Sequence, residues 1–172
     1  MFETLISKLQ EDKYLTLETT PQHEPSMHNI VEKIKKFKID SKVDGFTCTD
    51  NPLAKLKYNS LFAALKLQQE FKKPVIATMT MRDRNKIALQ SDLLGANDFD
   101  IRAILALTGD PANMSDQPNS KGVFEANSLM LLKMIKSFNY GMDFAGRPFK
   151  IEPKQIFPFA VVNAYAKNFG SL

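Results

Sequence analysis

Polar side chains recur at nearly equal intervals along this chain, each at the end of an apolar run. Glu18, Thr49, Thr80 and Asp110 are separated by 31, 31 and 30 residues. A carboxylic acid can donate or accept a proton during a reaction, and a carboxylate beside a bound cofactor can tune that cofactor. The spacing raises the question whether these acids and hydroxyls belong to one site.

Asp110 stands where an apolar run ends abruptly in a turn. Residues 105–112 read LALTGDPA, so Gly109 and Pro111 flank the acid and force the backbone to change direction. Aspartate often opens such turns by bonding its own downstream backbone, which is the plain alternative to a functional role. The organisation of the whole chain has to decide between the two.

Short apolar runs alternate with segments of helical periodicity. The predicted strands cover residues 13–19, 44–50, 74–81, 101–110 and 155–164. The predicted helices cover residues 28–37, 58–71, 85–94 and 125–138. This alternation, with nearly continuous apolar strands, indicates an α/β fold with a parallel sheet. The intervals of about 30 residues match the length of one βαβ unit.

Ligands of parallel α/β folds bind at the carboxyl ends of the strands. The five predicted strand ends carry Glu18, Thr49 with Asp50, Thr80 with Arg82, Asp110, and Asn163. The last interval is longer, 53 residues, because it contains the polar loop 111–122 and a second loop near residue 145. Convergent polar groups at one edge favour a binding site over a plain turn at Asp110.

Two parallel architectures compete. A doubly wound nucleotide-binding sheet carries a glycine-rich loop after its first strand, but the first turn here, ETTPQHEPS, contains no glycine. A (β/α)8 barrel needs no such loop, although it normally requires at least ~200 residues. At 172 residues with five predicted strands, the chain would form an incomplete barrel.

Composition excludes several classes of protein. Hydrophobic and charged fractions of 44% and 24% are those of a globular domain, here a single one. The net charge is +4, but the lysines follow helical patterns without interleaved aromatics, which predicts solvated helix faces and no nucleic-acid partner. Cys48 is the single cysteine and His23 and His28 lack zinc-site spacing, so neither a disulfide nor a metal site is predicted. No signal peptide and no apolar run of ~20 residues is visible, so we expect a cytoplasmic protein without membrane association.

Five motifs together resemble the methylenetetrahydrofolate reductase family in order and spacing. They are LTLETTP, VDGFTCTDNP, TMTMRDRN, LALTGDPA and FPFAVVNA, and the resemblance extends over about residues 14–168. It implies a TIM barrel that holds FAD at the carboxyl ends of its strands. It also implies reduction of 5,10-methylenetetrahydrofolate to 5-methyltetrahydrofolate, in the one-carbon metabolism that feeds methionine synthesis.

The resemblance assigns catalytic roles to two acids. Glu18 matches the general acid that protonates the departing nitrogen when the five-membered ring of the substrate opens to an iminium. A carboxyl group does so only where partly apolar surroundings favour its protonated form, which Leu17 and the strand interior are expected to supply. The alternative is a strand-end glutamate in solvent. Asp110 matches the acid beside the pyrimidine end of the flavin and the bound pterin, where Gly109 allows close backbone approach.

Further positions match residues that line the FAD site in the family, with ordinary packing or strand-end hydrogen bonds as the alternative. They are Thr49, Thr78, Leu107, Thr108, Gly109, Asp110, Phe124 and Asn163. Phe124 stands where some relatives have a tyrosine, so any hydroxyl contact there is lost. Thr108 stands where some have an arginine, so the resemblance does not imply a phosphate contact at that position. Arg82 and Arg84 would pair either with phosphates or with acids such as Asp83.

The chain departs from the family at its end, because strands six to eight of the barrel are missing. Either it is part of a longer polypeptide, or it forms a homo-oligomer that covers the open sheet edges. The electron donor stays open between NADH or NADPH and an electron-donating partner subunit. The alternative function is a non-catalytic half-barrel that binds flavin or a partner chain.

Overall fold

Strands and helices alternate along the computed structural model, which describes residues 2–11, 13–117 and 119–162. The strands are β1 (Thr16–Thr19), β2 (Gly45–Cys48), β3 (Val75–Thr80), β4 (Ala103–Leu107) and β5 (Phe157–Ala160). The helices are α1 (Phe2–Gln10), α2 (His28–Lys36), α3 (Ser60–Phe71), α4 (Lys86–Asp98) and α5 (Ser128–Asn139). Short 3₁₀ turns lie at Asp40–Lys42, Pro52–Ala54 and Ala112–Met114.

The five strands form one parallel sheet in the order β1-β2-β3-β4-β5. This order, with helices between consecutive strands, confirms the predicted α/β fold of partial TIM-barrel type. Each strand is shorter than the apolar run that predicted it. For example, β1 begins at Thr16, three residues after the predicted start, and β5 begins at Phe157, two residues after it. Residues 163 and 164 of the predicted fifth strand lie outside the described residues. Helix α1 was not among the predicted helices.

One face of the sheet packs against the helices and forms the main core. Its strand residues alternate with those of the other face, as in Phe46 and Cys48 of β2 and Ala77 and Met79 of β3. The helices contribute buried leucines to this core: Leu67 of α3, Leu89 and Leu93 of α4, and Leu131 of α5. Burial of each such leucine is worth roughly 1.5–3 kcal/mol, so this face holds the strands in place.

The amino-terminal half of the other face is covered by α1. Leu5 packs there with Ile76 and Ala103, and Phe2 and Tyr14 border the cluster. Gly45 is required at this end, because an added Cβ would overlap the Tyr14 hydroxyl and lie 2.5 Å from the Pro74 carbonyl oxygen. Helix α1 covers the amino end of this face, and the loops that follow the strands lie at its carboxyl end.

Asparagine caps begin the helices that follow β2, β3 and β4. Asn59 accepts from the Leu61 amide at 2.9 Å, Asn85 from Ala88 at 2.9 Å, and Asn127 from Leu129 at 3.2 Å. These caps fix where each loop at the carboxyl edge ends. No helix in the described part of the chain is long and apolar enough to cross a membrane.

Candidate active site at the carboxyl ends of the strands

The predicted strand-end residues lie at one edge of the sheet. Because the strands are parallel and adjacent, their carboxyl ends coincide, as the registers Glu18 to Thr47 and Thr80 to Leu107 show. Thr49 follows β2 directly, Thr80 ends β3, and Asp110 lies three residues after β4. The prediction that Glu18, Thr49, Thr80 and Asp110 share this edge is confirmed. Asn163 lies outside the described residues.

Glu18 is exposed, which corrects one expectation. Leu17 packs into the main core, and alternation along β1 therefore puts Glu18 on the opposite face. Leu17 cannot shield the carboxyl group as predicted. The buried residue of this strand end is Thr19, whose hydroxyl donates to the Thr47 carbonyl oxygen at 2.8 Å and lies 3.4 Å from Cys48 Sγ.

A buried carboxylate, Asp50, joins the ends of β2 and β3. Its Oδ2 accepts hydrogen bonds from the Thr80 amide at 3.0 Å, the Thr80 hydroxyl at 2.9 Å and Arg84 Nη1 at 2.6 Å. Arg84 Nε in turn lies 2.9 Å from Asp92 Oδ2 on α4. Sequence reasoning noted Asp50 at a strand end but gave it no role. Its position next to Thr49 and the TMTMRDRN arginines are the signals that could have found it.

Arg82 is buried, with 2% of its surface exposed, and holds its sequence neighbour. Its Nε and Nη2 donate to Asp83 Oδ1 and Oδ2 at 2.8 and 2.6 Å, a bidentate pair that lowers the pKa of the Asp83 carboxyl. Both arginines of this motif therefore pair with acids. Within the described residues, however, Arg82 Nη1 is buried without a hydrogen-bond partner.

The turn after β4 brings Asp110 to a different loop. Gly109 has φ +98°, and an added Cβ would lie 2.9 Å from Arg82 Cβ, so only glycine allows this approach. Asp110 Oδ2 accepts a hydrogen bond of 2.6 Å from the Leu53 amide. The plain alternative, in which Asp110 bonds its own downstream backbone, is therefore not what the structure shows.

The loop after β2 that receives this contact has an unusual backbone. Asn51, Leu53 and Ala54 have φ values of 43°, 57° and 57°. Each costs of order 1–3 kcal/mol for a residue other than glycine, so side-chain contacts must hold the loop. Asn51 Oδ1 accepts from the Lys57 amide at 2.8 Å, in addition to the contact that Asp110 makes.

The other residues predicted to line a cofactor site have mixed surroundings. Thr78 is buried, and Leu107 is half-buried with its carbonyl accepting from the Met81 amide. Thr108 accepts from the Ser128 amide at 3.1 Å and so helps to begin α5. Phe124 is exposed, with its ring against Gly122.

Two buried polar atoms at this edge test whether a cofactor would fit. Thr49 Oγ1 and Arg82 Nη1 have no partner within the described residues, and an unmet buried group costs about 1–3 kcal/mol. Hydrogen-bond acceptors of a bound polar ring system, such as those of a flavin, would relieve that cost. Both atoms are out of contact with solvent in the structure. The described ranges contain no group of three or more His, Cys, Asp or Glu side chains arranged to hold a metal ion.

Comparison with known proteins identifies the family. The family model described as methylenetetrahydrofolate reductase matches residues 3–151. None of the curated proteins compared with the chain matches it. The matched segment contains β1 to β4 with Glu18, Asp50 and Asp110, and so most of the described edge. The chain belongs to the methylenetetrahydrofolate reductase family.

Proposed function

We propose that the chain acts in the flavin-dependent reduction of 5,10-methylenetetrahydrofolate to 5-methyltetrahydrofolate. The observation that carries the proposal is the shared edge at which a family member presents two acids, Glu18 and Asp110. Such an edge is where parallel α/β enzymes bind substrate. The proposal places the protein in one-carbon metabolism and methionine synthesis, in the cytoplasm.

Glu18 is the proposed general acid. It is exposed and makes no hydrogen bond or ion pair within the described residues, so its carboxyl group is free to meet a substrate. The proton from Glu18 goes to the departing ring nitrogen as its carbon–nitrogen bond breaks, which leaves an iminium carbon to accept hydride. Glu18 would gain apolar surroundings only when bound ring systems cover that face of the sheet.

FAD is the proposed cofactor, and when bound it supplies the hydride. Thr49, Arg82 and Asp110 are the residues best suited to hold its ring system: two unmet donors and one carboxylate at adjacent strand ends. Thr78, Leu107, Thr108, Gly109, Phe124 and Asn163 would line the rest of the site. Asp110 would contribute a negative charge whose strength is moderated by the Leu53 amide.

The open sheet supports a proposal on the oligomeric state. In the described residues β1 and β5 each pair with one neighbour only, and unpaired edges invite association. We propose a homo-oligomer that covers these edges. Electrons would come from NADH or NADPH, or from an electron-donating partner subunit.

A second candidate function is a half-barrel that binds flavin or a partner chain without turnover. The exposure of Glu18 favours it, because the apolar surroundings that a carboxylic general acid requires are not in place around this residue.

The test is a titration of the purified chain with FAD, followed by quenching of flavin fluorescence. We expect weak, saturable binding that Asp110→Asn changes and Glu18→Gln leaves unchanged. Chemically reduced flavin on the protein is then mixed with 5,10-methylenetetrahydrofolate. Oxidation of the flavin supports the reductase, binding without oxidation supports the half-barrel module, and absence of any flavin binding contradicts both flavin roles.

A further inference from the structure

Two aspartates of the loop after β4 reach across to backbone amides of the loop after β2. Asp110 Oδ2 accepts from the Leu53 amide at 2.6 Å, and Asp116 Oδ1 accepts from the Leu56 amide at 3.3 Å. We call these two hydrogen bonds the clamp. They join residues 57 and 60 positions apart in sequence, at the carboxyl edge of the sheet.

The segment held by the clamp has few other tertiary anchors. Lys55 bonds within the 3₁₀ turn, to the Pro52 carbonyl oxygen at 3.2 Å, and Tyr58 bonds the Gln22 carbonyl oxygen at 2.9 Å beyond it. Leu53 and Leu56 are both exposed. Ala54 between them is buried and anchors the turn, and Asn51 accepts from the Lys57 amide. The side chains of Leu53 and Leu56 add little packing, so the positions of their amides depend on the two carboxylates that accept from them.

Only two residues lie between Leu53 and Leu56, so the two ends of the clamp cannot move independently. We propose that Asp116 is a positioning residue, which holds Leu56 so that the Leu53 amide stays on the carboxylate of Asp110. This inference rests on the proposed function, because that is where Asp110 meets the cofactor. A donor on Asp110 withdraws part of its negative charge, so the loop position sets how much charge a bound ligand meets.

The surroundings of Asp116 keep it ionised near neutral pH. The Gln117 side-chain amide donates to Oδ1 at 3.2 Å, and together with the Leu56 amide it lowers the pKa of the carboxyl group. His23 of the loop after β1 contributes a favourable charge when protonated. The contact with the Leu56 amide, at 3.3 Å, is longer than the contact of Asp110 with the Leu53 amide, at 2.6 Å, so Asp116 holds its end of the clamp more weakly.

The test is amide hydrogen exchange by NMR on the full chain labelled with ¹⁵N. Asp116→Ala removes the acceptor, whereas Asp116→Asn keeps an oxygen that can accept from Leu56. We expect Asp116→Ala to speed exchange about tenfold at both Leu56 and Leu53 and to shift the Leu53 amide proton upfield. Asp116→Asn should restore most of the protection. Asp98→Ala, a change of an exposed aspartate on α4, is the matched control.

Faster exchange at Leu56 alone would overturn the proposal, because Asp116 would then not act on the partner of Asp110. An unchanged Leu53 resonance in Asp116→Ala would do the same. The same variants are titrated with FAD. Asp116→Ala should change the dissociation constant several-fold in the direction opposite to Asp110→Asn, because it frees the Asp110 carboxylate from its donor whereas Asp110→Asn removes the charge. If Asp116→Ala speeds exchange at Leu53 and Leu56 but leaves the dissociation constant for FAD unchanged, Asp116 has no role in ligand binding and that part of the proposal is overturned. A wild-type chain that binds no FAD while the amide results hold would contradict the proposed function and not the clamp.

Discussion

At the scale of single residues, Glu18 and Asp110 are both acids at one edge, yet their surroundings separate their roles. The Glu18 carboxyl group makes no hydrogen bond or ion pair with the described residues, whereas that of Asp110 accepts a hydrogen bond from the Leu53 amide at 2.6 Å. The Glu18 carboxyl group is therefore free to meet a ligand, as its proposed role requires, whereas the Asp110 carboxylate is held in place. Their variants should therefore affect different half-reactions.

In a flavin-loaded active form, Glu18→Gln should slow folate reduction by about 10²–10⁴-fold and leave reduction of the flavin by its electron donor nearly unchanged. An amide cannot protonate the departing nitrogen, while delivery of electrons to flavin needs no such proton. Stopped-flow absorbance measures each half-reaction separately. Asp110→Asn is the comparison and should alter both steps. Equal slowing of both steps by Glu18→Gln would mean that Glu18 has a structural role.

The buried thiol of Cys48 should react slowly in the folded chain. Burial raises the pKa of its thiol to about 12, which the contact with Thr19 only partly offsets. The reactive thiolate should therefore be scarce at pH 8 in the folded chain. We expect Ellman's reagent to modify Cys48 at least a hundredfold more slowly in buffer than in denaturing urea. A free cysteine of a model peptide is the control, and rapid labelling in buffer would show that β2 opens readily.

At the scale of elements, the alternation of strands and helices could be predicted because each buried strand leaves an apolar run in the sequence. The contacts between loops could not. Asp110 binds a residue 57 positions earlier, and only the adjacency of β2, β3 and β4 brings the two loops together. The sequence offered the exposure of Glu18 only as the alternative, because which face a strand residue occupies depends on the register of its neighbours. Helix α1 was missed because the short segment mixes charges and lacks a capping signal.

Asp50 joins β2 to β3 and, through Arg84, to α4. We therefore predict that its removal lowers the stability of the fold. Asp50→Ala would remove the buried partner of the half-buried Arg84, leaving it with Asp92 alone, and would leave the Thr80 hydroxyl without its acceptor. Loss of one partner of a buried ion pair costs about 3–5 kcal/mol, so we expect a decrease of about 3 kcal/mol in the free energy of unfolding. Urea denaturation measures it.

Asp92→Ala is the matched control, because it removes the more exposed partner of the same arginine. It should cost less than about 1 kcal/mol. If the two variants were equally stable, the carboxyl edge would not depend on Asp50, and its burial would need another explanation.

At the scale of the whole molecule, carboxyl groups with lowered pKa values make both local contacts and contacts between distant parts of the fold. Asp44 is one of them: its Oδ2 accepts from the Leu15 amide at 2.9 Å, and its Oδ1 lies 3.1 Å from Lys8 Nζ on α1. These two contacts lower the pKa of Asp44 and join α1, β1 and β2. Asp83, Asp116 and Asp143 also have lowered pKa values, so acid should loosen several places at once.

The sign of the pH dependence follows from linkage. A carboxyl group whose pKa is lower in the folded than in the unfolded chain stabilises the fold fully above the unfolded value of 3.8, and this contribution is lost as pH falls through the folded value. We therefore expect the urea midpoint to change little between pH 7 and pH 5 and to drop between pH 4 and pH 2.

Asp44→Asn keeps an oxygen for Leu15 but cannot titrate. Its free energy of unfolding should therefore be lower than that of the wild type by about 0.2–1 kcal/mol at pH 7, and its decrease in acid should be smaller. Asp98→Asn on the exposed face of α4 is the control and should follow the wild type. If Asp44→Asn lost as much stability in acid as the wild type, the junction of α1 with the sheet would rest on the apolar contacts of Leu5 and Phe2 and not on this carboxylate.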